Sequence, residues 1–75
     1  FRMPERQKEL LIAISKAGDA ESLTSGAFLQ KYRLSSASSV QSATKGLLEK
    51  DYITHEQGKY RIYDQFFGVW LNENY

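Results

Sequence analysis

The apolar positions change period twice along the chain, and the changes divide it into helices, a hairpin and a closing helix. Pro4 followed by Glu5 has the form of a helix opening, with proline in the first turn and an acid near the positive end of the dipole. From Gln7 onward Leu10, Leu11, Ile14 and Ala17 recur at helical spacing, and Gly18 is a fitting stop. Residues 19–22 read as a polar connection, with Leu23 as its buried anchor. Thr24 or Ser25 caps a second, short helix carrying Ala27, Phe28, Leu29 and Tyr32. Gly26 falls near its first turn, where the helix cost of glycine, up to ~1 kcal/mol, shrinks. Arg33, Leu34 and Ser35 then form a tight turn. Ser36, the best N-cap in the chain, opens a third helix with Val40, Ala43 and Leu47 on one face and Leu48 beside them. Asp51 ends it in a left-handed turn, where Gly or Asn is easier.

Beyond that turn the pattern becomes that of strands. Tyr52, Ile53, Thr54 and His55 make one run and Tyr60, Arg61, Ile62 and Tyr63 another; between them Glu56, Gln57, Gly58 and Lys59 supply the glycine of a short hairpin loop. Ile53 and Ile62 are expected to share the buried face. Residues 64–71 open on a capping Asp64 and carry Phe66, Phe67, Val69, Trp70 and Leu71, which predicts a short aromatic helix. Phe66, Phe67 and Trp70 are expected to pack back on the first helix. So small a domain does not bury every ring easily, which leaves one edge as a partner patch. The order helix, helix, helix, hairpin, helix gives a mainly α fold class with a small β-hairpin. It is that of a winged helix-turn-helix: three-helix core, wing, and short C-terminal helix.

Length and charge narrow the function classes. The 75 residues fit one domain near the lower size limit for a self-sufficient core, so residues 1–75 are read as a single winged-helix domain. With no cysteine there is no disulfide framework and no thiolate metal site. That suits a cytoplasmic protein, which is the expected location. The longest apolar stretch, residues 10–14, is too short to span a bilayer, and no segment has the order of a signal peptide. Ten basic residues against nine acidic ones leave a net charge of +1, without the excess of Lys and Arg that marks a dedicated nucleic-acid binder. The chain opens on Phe1, and Met3 precedes Pro4, so it reads as excised from the C-terminal part of a longer chain.

Two stretches carry a family resemblance. Leu34, Ser35, Ser36, Ala37, Ser38, Ser39 and Val40, continuing to Leu47, Leu48, Glu49, Lys50, Asp51, Tyr52 and Ile53, look like the recognition-helix region of winged-helix domains. Asp51 and Tyr52 stand where those domains usually have glycine and a hydrophobic residue. Residues 60–71 resemble the segment in which prokaryotic and archaeal-type AAA+ ATPases end their C-terminal winged helix: a tyrosine-rich strand, an aspartate, paired aromatics, then Trp70 and Leu71. The resemblance implies a non-catalytic regulatory or interaction module of a P-loop ATPase. Its partner would be the upstream ATPase domain or another protein, and ATP and Mg would belong to that upstream domain, with no cofactor in this segment. A phosphate-binding loop is absent from the sequence itself: Gly26 and Gly46 are isolated, and Gly58 and Lys59 follow Glu56 and Gln57.

Candidate chemistry is correspondingly sparse. His55, the only histidine, has no second histidine or cysteine with which to share a metal, so a structural or solvent role is expected. No catalytic residue, metal ligand or small-molecule substrate site is assigned, and no membrane partner is expected. The surface of interest is the polar face of the third helix, Ser38, Ser39, Gln41, Ser42 and Lys45, joined by Lys59 and Arg61 of the wing. These side chains suit phosphates or base edges, which makes a DNA-binding winged helix-turn-helix the alternative function and duplex DNA the alternative partner. Against it, Lys45 is the one cation on that helix face and Gln41 the one candidate for a bidentate base contact. The same short side chains let another protein surface approach closely.

Overall fold

A computed structural model describes residues 2–75 and contains helices α1 (Glu5–Ala17), α2 (Gly26–Lys31), α3 (Ala37–Glu49) and α4 (Gln65–Asn74), with strands β1 (Ile53–Glu56) and β2 (Lys59–Ile62) between α3 and α4. This is the expected order of a winged helix-turn-helix. Leu10, Leu11 and Ile14 of α1, Val40, Ala43 and Leu47 of α3, Ile53 of β1 and Leu71 of α4 form one core, closed at one side by Ala20 and Leu23.

Local chemistry explains where the helices start and stop. The Ser25 and Ser36 hydroxyls accept from the amides of Phe28 and Ser39, both at 3.2 Å, and so satisfy first-turn donors of α2 and α3. Asp64 does the same for α4, its Oδ1 accepting from Phe66 N at 3.0 Å and Phe67 N at 3.3 Å. At the far ends, α2 and α3 both close through a left-handed residue, Arg33 (φ 54°) and Asp51 (φ 60°). After α3, Asp51 N donates to the Leu48 carbonyl at 3.1 Å and Tyr52 N to the Leu47 carbonyl at 3.0 Å, the paired bonds of a Schellman ending. A glycine is the usual occupant of that position; here an aspartate holds it.

The hairpin is antiparallel with Ile53 opposite Ile62, Thr54 opposite Arg61, His55 opposite Tyr60 and Glu56 opposite Lys59. Ile53 is buried and Ile62 half-buried against the core, as the sequence predicts. Both strands lie one residue nearer the loop than expected. Gln57 and Gly58 have φ of 52° and 74°, both positive as in a type I′ turn, so two residues suffice to reverse the chain and Glu56 pairs directly with Lys59. Ala20 adds a one-residue third strand: its N–H donates to the Tyr60 carbonyl at 2.9 Å and its carbonyl accepts from Tyr60 N at 2.7 Å. Because Tyr60 commits both backbone groups to Ala20, the facing His55–Tyr60 pair lacks backbone bonds and is the closely spaced kind. Its rings stack at 3.9 Å and 5°.

α4 departs from expectation. It runs on to Asn74, and Leu71 is its one buried residue. Phe67 is half-buried and packs on the core, but Phe66 is 90% exposed and Trp70 is also exposed. Phe67 and Leu71 are four residues apart and define the inward stripe; Phe66 lies about 100° around the helix from Phe67 and turns to solvent. The three rings therefore do not pack together on α1. α2 has no fully buried side chain and rests on half-buried Phe28 and Leu29.

Candidate interaction surfaces

α3 presents the predicted polar face. Val40, Ala43, Thr44 and Leu47 turn inward, leaving Ser38, Gln41, Ser42 and Lys45 exposed and Ser39 half-buried beside the Ser36 cap. Ser38 Oγ lies 3.3 Å from Ser36 Oγ. Thr44 was not anticipated in the core; its hydroxyl donates to the Val40 carbonyl at 2.8 Å, which lets a polar residue face inward with its donor satisfied.

The seven candidate residues do not gather into one stripe. Gln41 and Lys45 border a groove of about 410 Å³ between α3 and the loop that follows Ala20, with Glu21, Glu49, Leu48 and Tyr60 among its other walls. Arg61 lies elsewhere, in a concavity of about 270 Å³ shared with Ser15, Asp19 and Gln65. There its guanidinium is paired with the Asp19 carboxylate at 3.1 Å. Lys59, half-buried, stands opposite Glu56 at the wing tip, and Ser38, Ser42 and Lys59 border neither concavity. Around the α3 groove, one lysine faces two glutamates. Such a surface gives a phosphate backbone little net attraction, since nonspecific DNA affinity rests on several neutralised phosphates.

The largest exposed apolar side chains lie on the opposite part of the chain: Phe66, Tyr63 at 67%, Val69 at 58%, Trp70 and Tyr75. At 150–250 Å² per aromatic ring, these side chains together leave roughly 500 Å² of apolar surface exposed along α4 and at Tyr63 just before it. The heavily apolar tail gave notice of such a surface, but residue types alone do not say which ring turns outward. Asp51 and Asp64 flank its base, and residues 62–75 contain Asp64 and Glu73 but no Lys or Arg. Among the described residues no group of three or more His, Cys, Asp or Glu is disposed to hold a metal, and no helix is long and apolar enough to cross a membrane.

Searches against curated proteins and against solved structures return no match. A family model described as "probable winged helix domain" matches residues 1–73, which takes in all four helices and the hairpin up to the last turn of α4. With nearly the whole length matched and the three-helix core, wing and closing helix in place, the chain belongs to the probable winged helix domain family.

Proposed function

We propose that this domain is a non-catalytic protein-interaction module that serves a P-loop ATPase, docking through α4 and Tyr63 on the upstream ATPase domain or a neighbouring subunit. The observation that carries the docking part is the contrast between two faces. The polar face of α3, where a helix-turn-helix would meet DNA, carries Lys45 as its cation, and the groove beside it also holds Glu21 and Glu49, whereas Tyr63, Phe66 and Val69 are exposed apolar side chains on and next to α4. Transfer of such surface from water favours association with another protein, at about 25 cal/mol per Å² before the costs of ordering. The ATPase context is supported by the resemblance of residues 60–71 to the closing segment of AAA+ winged helices.

Amide-shift mapping with the upstream ATPase segment, nucleotide-bound and nucleotide-free, tests this reading. Shifts concentrated on residues 63–75 and dependent on nucleotide are expected; no shift in either state would remove the ATPase partnership. A parallel titration with duplex DNA at low salt is expected to give no saturable binding. Binding whose salt slope falls by about one on Lys59→Ala would instead establish the DNA reading.

A further inference from the structure

The hairpin register brings two similar dipeptides together at the base of the wing. Ile53 and Ile62 are the last paired residues of the strands, yet Tyr63 N still donates to the Tyr52 carbonyl at 2.9 Å. The chain therefore stays paired one step further, and Asp51 and Tyr52 come to lie beside Tyr63 and Asp64. With Lys50 and Phe67 these residues line an open concavity of about 500 Å³. The Tyr52 and Phe67 rings are 6.2 Å apart at 40°, both half-buried, and Tyr63 is the exposed wall.

We infer that this concavity receives a cationic side chain, Arg or Lys, from an exposed segment of a partner protein. Tyr63, the exposed ring, offers a negative face that attracts a cation, and half-buried Tyr52 and Phe67, the latter also stacked on Trp70 at 6.1 Å, back the site with apolar surface for the aliphatic stem. Two carboxylates supply the charge. Neither Asp51 nor Asp64 forms an ion pair among the described residues, and Asp64 caps α4 through Oδ1, which leaves Oδ2 uncommitted. Lys50, the one cation in the wall, directs its ammonium to Gln7 Oε1 on α1 at 3.0 Å and makes no ion pair with either acid, so the lining keeps an excess of one negative charge. An anionic ligand meets two carboxylates here against the single charge of Lys50, and residues 62–75 themselves carry no Lys or Arg.

This inference rests on the docking reading above, but it is tested without the ATPase. The 75-residue chain is titrated with the methylamides of N-acetyl-arginine, N-acetyl-lysine and N-acetyl-norleucine, whose apolar stem resembles that of lysine without the charge, and amide shifts are followed. Saturable shifts at residues 51–52 and 63–67 with the arginine or lysine probe, and weaker ones with norleucine, are expected. Asp51→Asn and Asp64→Asn keep the left-handed turn and the helix cap, so both variants remain folded. Each is expected to weaken cation binding about fivefold. Equal shifts with norleucine, unchanged binding by the Asn variants, or no saturable shift would overturn the inference. So would concentration-dependent shifts of the same residues without a probe, because a second copy would then be the occupant. Saturation by the small cations together with silence toward the ATPase segment would keep the pocket and remove only the ATPase as partner; the reverse pair of results would remove the pocket alone.

Discussion

Two residues at the ends of α3 carry opposite local energetics. Ser36 satisfies a first-turn donor through its hydroxyl, so Ser36→Ala is expected to cost about 1 kcal/mol, read as a lower urea midpoint with unchanged slope. Asp51 holds a left-handed backbone at φ 60° in the position a Schellman ending gives to glycine. Asp51→Gly is therefore expected to raise stability by about 0.5–1 kcal/mol, while removing one of the two carboxylates at the base of the wing. A fall in stability would mean that the Asp51 side chain supports the fold, and the position would lose its functional interest. Both residues were legible in the sequence because cap and left-handed preferences are properties of single residue types. Thr44 was not: its burial depends on a bond to Val40 that only the folded helix supplies.

Between elements, α1 approaches α3 closely at Gly46. A Cβ added there would meet the Gln7 side-chain amide, whose oxygen already accepts from Lys50 Nζ. Alanine in a helix interior gains up to ~1 kcal/mol over glycine, but Gly46→Ala must first displace Gln7. The gain is expected to be smaller with Gln7 present than in a Gln7→Ala background, with a coupling of about 0.5 kcal/mol in a double-mutant cycle. Strict additivity would show that Gln7 moves aside without cost. The hairpin was readable in advance because Ile53, Gly58 and Ile62 report period and turn together. The single rung at Ala20 was not, since a strand of one residue has no period. The outward turn of Phe66 escaped for a related reason: the unbroken apolar run of residues 66–71 does not declare its inward stripe until Leu71 and Phe67 find the core.

For the molecule as a whole, α4 is anchored by one buried side chain. Leu71→Ala is expected to cost about 2–5 kcal/mol, comparable with the entire stability of so small a domain, and to appear as loss of cooperative thermal unfolding by circular dichroism. A loss below about 1 kcal/mol would mean that half-buried Phe67 and the Lys16 bond to the Asn72 carbonyl, at 3.0 Å, hold the helix without it. The fold class was legible from element order; the placement of the candidate surface was not, because Lys59 and Arg61 are near α3 in the hairpin's sequence pattern yet Arg61 is drawn to Asp19 by charge. The six residues of α2 have the weakest hold on the rest, with a serine cap and two half-buried side chains in place of a buried one. Their amides should exchange with deuterium well before those of α1 and α3, by local opening. The first part of the molecule to melt would then be the scaffold in front of α3, while the wing base and α4 stay assembled and able to bind.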